Sequence, residues 1–353
     1  MVITLVEFIE KLFSSWNFFI MAILLSGVIF ANGFTDAPNA ITTCVTTRAI
    51  SPRRALIMSA IFNFLGIFVM STINAKVAKT IFNIVDLGSN PEMAVLALSA
   101  AMISIVSWAL ISGKTGIPTS ESHALIAGLS GSAIALMGGF SAINGQEWLK
   151  VLIGIVASIL VGFVIGFLLA KVVEGIFKNF DRTKTMKFFK ASQIFGGASM
   201  SFMHGAQAGQ KFIGVFILGI LLSNGITNSA DFEIPIWLMV YCALLMTIGT
   251  SIGGYKIIKT VGTKVANLEL YQGATSDIAT ASCLLLFSAL GIPASTAHTK
   301  SLATMGVGAS RRLSNINWNM VRRIILAGII TFPCCGLFAF IVTKILLAIN
   351  MVV

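Results

Sequence analysis

The chain has 353 residues, 56% of them hydrophobic and only 10% charged, whereas a soluble domain carries about 25% charged residues. So few charges cannot cover a water-facing surface. The net charge of +11 (24 Lys and Arg against 13 Asp and Glu) gathers in a few loops without an aromatic–basic patch, so it orients helices in a membrane and gives no sign of nucleic-acid binding. Mean hydropathy of +0.93 and long continuous apolar runs point away from a β-barrel, whose strands are short and alternating. The composition predicts an all-α polytopic membrane protein.

In chain order, residues 1–13 read as a short amphipathic helix. They lack the basic region and small-residue cleavage site of a signal peptide. Apolar segments follow at 17–34, 55–73, 93–112, 124–140, 149–170, 212–222, 236–252, 278–292 and 324–348. The long ones can cross a bilayer, which takes about 20 helical residues. Those that are short, or broken by Gly and Pro, are candidates for discontinuous or re-entrant helices. Trp16, Trp148 and Trp237 open segments, where interfacial Trp belongs. Cys44, Cys242, Cys283, Cys334 and Cys335 lie in or beside apolar runs without metal-ligand spacing, and read as small apolar residues.

One long polar stretch divides the chain. Residues 171–190 hold Lys171, Lys178, Arg182, Lys184, Lys187 and Lys190 against Glu174 and Asp181. It separates a first repeat, 1–170, from a second, 191–353. Loop charges give the repeats opposite topology. Arg48, Arg53 and Arg54 face a counterpart loop with Asp231 and Glu233. The balanced loop at 75–92 corresponds to Lys256, Lys259 and Lys264, and the neutral loop at 141–150 to Arg311, Arg312, Arg322 and Arg323. In each pair the basic loop and its partner fall on opposite sides, which predicts inverted repeats. The 171–190 linker is then cytoplasmic and both termini lie outside.

The sharpest internal echo is Gly116-Ile-Pro-Thr-Ser-Glu-Ser-His123 against Gly291-Ile-Pro-Ala-Ser-Thr-Ala-His298, with five of eight positions identical at an offset of 175 residues. Pro suits the first turn of a helix and Ser or Thr caps its free N–H groups. Thr119, Ser120, Glu121 and Ser122 are therefore placed at one helix start, and Ser295 and Thr296 at another. Either copy alone is readable as plain capping. Two copies meeting at mid-membrane would make an anion site. His123 and His298 lie one turn beyond each Ser, on its face, placed to orient the hydroxyls or relay protons.

A second constellation is Asn32-Gly-Phe-Thr-Asp-Ala-Pro-Asn39. Asn32, Thr35, Asp36 and Asn39 recur at three- and four-residue spacing, and an intramembrane carboxylate is rare and usually functional. Hard oxygen ligands of this kind suit Na⁺; a polar network without an ion is the plainer alternative. An offset of 172 lays this segment on His204-Gly-Ala-Gln-Ala-Gly-Gln-Lys211, where Ala208 stands opposite Asp36. Lys211 is placed to face an anion or to snorkel to the interface. Asp277 is a further acid in an apolar run, and Lys300 reads as a snorkelling residue.

Together these residues resemble the inorganic phosphate transporter (PiT) family of cation–phosphate symporters. That family carries Gly-Ala-Asn-Asp-Val-Ala-Asn-Ala and Gly-Leu-Pro-x-Ser-x-Thr-His in each half. The first is matched here by Gly33–Ala40 and Gly205–Lys211, the second by 116–123 and 291–298. Asp277 matches an acidic position of the second half, whereas Asn63 stands where an acid is expected in the first. Thr35 and Gln207 replace the family's Asn, and Ala208 its second Asp. The resemblance implies a sodium-coupled phosphate symporter of the cell inner membrane, working by alternating access. Phosphate would be bound by Thr119, Ser120, Gln207, Gln210, Lys211, Ser295 and Thr296. Na⁺ would be bound by Asn32, Thr35, Asp36, Asn39, Glu121 and Asp277, with Ser122, His123 and His298 in support. No organic cofactor is implied; lipid is the surrounding partner and a homodimer is allowed. Proton coupling, sulfate as the anion, a passive channel and an intramembrane enzyme using the two His residues are the alternatives. ATP hydrolysis has no phosphate-binding loop motif to support it.

Overall fold

The computed structural model describes residues 4–115, 120–226, 232–262, 268–312 and 318–350. Helix α1 (Leu5–Ser14) is the expected amphipathic helix. It opens on a capping box in which the Thr4 hydroxyl accepts from the Glu7 N–H and the Glu7 carboxylate accepts from the Thr4 N–H. Its Phe8 packs on Phe18 and Trp237, with ring centroids 5.7 and 4.9 Å away. Helix α2 (Trp16–Thr35) ends at Asp36, because Pro38 has no N–H to continue the ladder. The chain passes through a 3₁₀ turn, Ala37–Ile41, into α3 (Thr42–Thr46). Helices α4 (Pro52–Ile73), α5 (Lys76–Phe82), α6 (Pro91–Thr115), α7 (Glu121–Met137) and α8 (Gly145–Phe177) complete the first half. The second holds α9 (Arg182–Ser223), α10 (Ile236–Gly262), α11 (Leu270–Leu290), α12 (Thr296–Arg311) and α13 (Trp318–Asn350).

Seven helices among the described residues are long and apolar enough to cross a membrane: α2 with its continuation, α4, α6, α8, α9, α11 and α13. Helices α7 and α12 are shorter, and each packs on the helix before it. The result is two helical hairpins, α6/α7 and α11/α12. Packing partners exchange between the halves: α7 lies on α13 and α12 on α8, while α4 lies on α9 and α10 on α2. Glycines make the same exchange residue by residue. Gly33 abuts the Met246 backbone and Gly205 the Asn63 backbone; Gly66 abuts Phe202 and Gly249 abuts Phe30. A Cβ at any of the four would collide with the facing backbone.

The lipid-facing and inward faces of α8 are separable by eye in its sequence. Gly154, Ser158, Gly162, Gly166 and Ala170 are buried at every fourth position. Leu152, Val156, Leu160, Val164 and Leu168 are exposed between them. Small residues let backbones approach in a medium where apolar side chains gain nothing from contact with each other over lipid. Helix α13 repeats the pattern with Ala327, Thr331, Cys335, Ala339 and Thr343 buried.

Several sequence expectations change in the structure. The run at 212–222 is the end of a 42-residue helix, α9, about 63 Å long at 1.5 Å per residue. Its polar residues Gln193, Ser201, His204, Gln207, Gln210 and Lys211 are buried and held by partners from other helices. They therefore extend the helix rather than end it. Helix α12 was not among the apolar segments, because its Thr, His, Lys and Ser residues also point inward. Residues 171–190 are mostly helical, with only 178–181 between α8 and α9, where Asp181 caps the Thr183 N–H. The Thr183 hydroxyl and N–H hold the Asp181 carboxyl below the usual carboxylate range. Trp16 is exposed as an interfacial Trp should be. Trp148 instead donates to the Ser130 hydroxyl at 3.0 Å and packs on Phe332. Cys334 is exposed and the other four cysteines are buried, all as free thiols.

Candidate functional site

The α11/α12 hairpin turns back at the second Pro-Ser element, residues 291–295. Residues 116–119, including Thr119, lie outside the described residues. Ser120 caps α7 by accepting the His123 N–H at 3.4 Å, and Ser295 caps α12 by accepting the His298 N–H at 3.3 Å. Gly291 takes the left-handed conformation (φ 71°) that ends α11. The two hairpin tips meet: the His123 and His298 rings lie 5.0 Å apart, edge to face. Two helix N-termini from opposite halves thus converge, each with a capping Ser and a buried His.

Lys211 of α9 reaches into this junction. Its Nζ donates to the Ser122 hydroxyl at 2.7 Å and to the Ala294 carbonyl at 2.5 Å, tying one tip to the other. It is 1% exposed, so it does not snorkel. Gln207 fixes the second tip, donating to Ser288 Oγ (2.9 Å) and the Ile292 carbonyl (3.3 Å) and accepting the Ala294 N–H (3.3 Å). Gln210 donates instead to the Asn74 carbonyl at 2.8 Å. Of the three α9 residues expected to touch substrate, Lys211 stands between the tips, Gln207 positions one of them, and Gln210 braces the entry to α5.

The break in α2 faces the same junction. Asn39 donates to Asp36 Oδ1 at 3.1 Å, Thr296 donates to Asp36 Oδ2 at 3.3 Å, and His204 Nε2 lies 3.6 Å from Oδ2. Asn32 donates to Glu121 at 2.6 Å, and the Thr35 hydroxyl donates to the other Glu121 oxygen. Asn32, Thr35, Asp36 and Asn39 are joined here by Glu121 from α7 and Thr296 from the other half. Asn32 Oδ1 is buried without a hydrogen-bond partner. Thr35 is exposed, and Asp36, Asn39 and Glu121 partly so, which leaves the cluster open on one side. Two carboxylates, four neutral side-chain oxygens (Asn32, Thr35, Asn39 and Thr296) and no sulfur form a hard donor set suited to an alkali cation.

Asp277 departs from the expected open cation ligand. It is fully buried, accepts from Thr43 at 2.7 and 2.8 Å and from Gln193, and is ion-paired with Lys300. Lys300 is correspondingly not a snorkelling residue. It lies four residues after Thr296, on the same helix face, and points into the protein because Asp277 supplies its counter-charge. His204, Thr43 and Gln193 were not singled out in the sequence. His204 was findable, since the offset of 172 lays it on Asn32. Its Nδ1 lies 2.8 Å from Asn63 Oδ1, so the Asn that replaces an expected acid orients this imidazole.

Paired hairpins that bring two helix N-termini, a buried Lys and a carboxylate cluster together at a broken helix are the build of a helical membrane transporter. Comparison with known proteins makes the class particular. The family model described as the phosphate transporter family matches residues 32–185 and 177–339. A probable low-affinity inorganic phosphate transporter of Bacillus subtilis is 37% identical over 304 residues, covering 86% of this chain and 89% of that one. One of Rhizobium meliloti is 35% identical, covering 87% and 90%. A solved sodium-dependent phosphate transporter shares the fold with a TM-score of 0.83 over 96% of this chain and 100% of its own, at 23% identity. The chain belongs to the phosphate transporter family, whose members are transporters and not enzymes, and it is a multi-pass membrane protein.

Proposed function

We propose that the chain is a sodium-coupled phosphate symporter of the cell inner membrane, cycling by alternating access between two inverted repeats, 1–170 and 191–353, joined by a cytoplasmic linker at 171–190. The observation that carries this reading is the Lys211 ammonium held between the two capped hairpin tips, beside the Asp36–Glu121 cluster. Phosphate would sit at the tips, its oxygens taken by the N–H groups and hydroxyls of Thr119, Ser120, Ser295 and Thr296, with its charge offset by Lys211. Gln207 and Gln210 would act by positioning the tip and α5. Na⁺ would bind Asp36 and Asn39, or Glu121 with Asn32 and Thr35. Ser122, His123 and His298 would hold the tip geometry.

Thr296 links the two sites: it is the first residue of α12, next to the capping Ser295, and its hydroxyl donates to Asp36. A cation on Asp36 brings positive charge next to the anion, so each ligand improves the other's binding, which is what coupling requires. A protonated phosphate can donate a hydrogen bond to Glu121, and sulfate at neutral pH cannot, which favours phosphate over sulfate. The solved relative's sodium dependence is consistent with this choice of ion.

The test is uptake of radiolabelled phosphate into liposomes holding the purified protein, with an inward Na⁺ gradient or a matched K⁺ gradient. Accumulation above equilibrium only with Na⁺ is expected. Accumulation driven only by a proton gradient would replace Na⁺ with H⁺, and equal equilibration in both salts would leave a passive channel.

A further inference from the structure

Asp277, Lys300, Thr43 and Gln193 form a second polar cluster, separate from the hairpin tips. Helix α12 presents Thr296 and Lys300 on one face, four residues apart. The α2 break and its continuation present Asp36 and Thr43 opposite them. Two rungs result. In the first, Thr296 meets Asp36, and the carboxylate's remaining neighbours are Asn39 and His204. In the second, Lys300 Nζ pairs with Asp277 and donates to Thr43 Oγ1 at 3.2 Å, while Thr43 donates to both Asp277 oxygens.

The second rung holds a positive charge on oxygen donors, as a cation site does. It offers a carboxylate and a hydroxyl oxygen on one positive centre. Asp277 is fully buried and Lys300 is 7% exposed, so neither can exchange its partner for water at a surface. Gly196 and Gly197 of α9 let the cluster pack: a Cβ at Gly197 would strike Cys44 Sγ, and one at Gly196 would stand 2.9 Å from Asp277 Cβ. An ammonium and a sodium ion carry the same charge, but the ammonium is covalently held. We propose that Lys300 is a tethered cation that permanently fills a monovalent-metal site built by Asp277 and Thr43, so that the Asp277 rung contributes no exchangeable ion to the transport cycle. This stands whether or not Na⁺ drives phosphate uptake by the intact protein.

The experiment counts ²²Na⁺ bound to purified protein at equilibrium, in choline-balanced buffer, with thermal unfolding as a parallel readout. Lys300→Ala is expected to bind a single additional Na⁺ per chain relative to the unmodified protein, and to show an extra Na⁺-dependent rise in Tm. Lys300→Ala combined with Asp277→Asn is expected to return to the unmodified count. A folded Lys300→Ala with an unchanged count overturns the proposal. If Lys300→Ala folds only when Na⁺ is present, the proposal is supported. If it folds in neither salt, the neutral pair Lys300→Met with Asp277→Asn decides. An unchanged count supports a rung with no exchangeable ion, and a lower count overturns it. Failure of the Na⁺-symport reading is separately visible, as an absence of bound Na⁺ in the unmodified protein.

Discussion

Asp36 and Glu121 sit in the same cluster yet have different surroundings, and this separates their expected roles. Asp36 accepts from Asn39 and Thr296 and faces His204, so it connects the broken helix to the opposite hairpin. Asp36→Asn keeps the shape and removes the charge. Hydrogen bonds to charged groups contribute about 1.5–3 kcal/mol, and 1.4 kcal/mol is tenfold. Na⁺-dependent phosphate uptake is expected to fall by about tenfold or more, with the half-saturating Na⁺ concentration rising in the same assay. Glu121 accepts from Asn32 and Thr35 and lies next to the anion tip. Glu121→Gln is expected to reduce phosphate-over-sulfate discrimination by about tenfold, one hydrogen bond's worth, measured by competition of unlabelled sulfate with labelled phosphate. Unchanged discrimination would remove Glu121 from the anion side. Spacing puts Asn32, Thr35, Asp36 and Asn39 on one face only if the helix is continuous, and the structure ends it at Asp36. Nor could spacing show that Asn32 and Thr35 turn to Glu121 rather than to Asp36, because that choice depends on where α7 packs.

Helix contacts in this protein are made by small residues, and the repeat makes them testable in pairs. Gly205 of α9 meets the Asn63 backbone of α4, and Gly33 of α2 meets the Met246 backbone of α10. Adding a methyl group to a tight contact costs roughly 1–3 kcal/mol. Gly205→Ala and Gly33→Ala are each expected to destabilise the detergent-solubilised protein by that amount, read as a lower thermal unfolding midpoint. Gly27, which has open space around its Cβ position, is the control, and Gly27→Ala should leave the midpoint unchanged or raise it. The helices themselves were legible where apolar runs were continuous. Helix α12 and the part of α9 before residue 212 were not, since hydropathy scores a residue by type. Inside a bundle Lys211, Gln207 and Lys300 are as buried as leucines once each has a partner. The converse holds at α2. Pro38 breaks that helix as its chemistry requires, whereas the matching stretch of α9, with Gln210 in its place, runs on unbroken.

At the scale of the whole molecule, helix partners are exchanged between the halves, and a repeat of inverted direction is proposed on top of that. Single cysteines introduced at Lys178 and at Thr4, in an otherwise cysteine-free protein, are expected to react with membrane-impermeant maleimide from opposite sides of sealed vesicles. Labelling of both from one side would sink the inverted topology and the outside placement of the N-terminus. The linker end of the molecule is tied by charge. Arg311 pairs with Glu174 and Glu269, Arg182 with Glu269, and the Tyr271 hydroxyl donates to Glu174. Arg182 and Arg311 are exposed and the other groups are partly so, and such pairs contribute about 0–1 kcal/mol each. They orient the α8–α9 connection against α12 more than they stabilise the fold.

The sequence by itself determined that this is a helical membrane protein. A chain so poor in charge has no other way to satisfy its backbone in lipid than helices. It also determined the twofold repeat of the Pro-Ser elements and the family, because motifs of fixed residue type at fixed offset survive translation into one dimension. Only the tertiary structure decided which buried charges are free and which are already answered. Asp36 and Asp277 look alike as acids in apolar runs. Packing places Lys300 on Asp277, while Asp36 has hydrogen-bond partners in Asn39 and Thr296 and the His204 imidazole 3.6 Å away. A charge's partner is set by distance across the bundle, and distances between residues 23 to 260 positions apart are not written in the order of the chain.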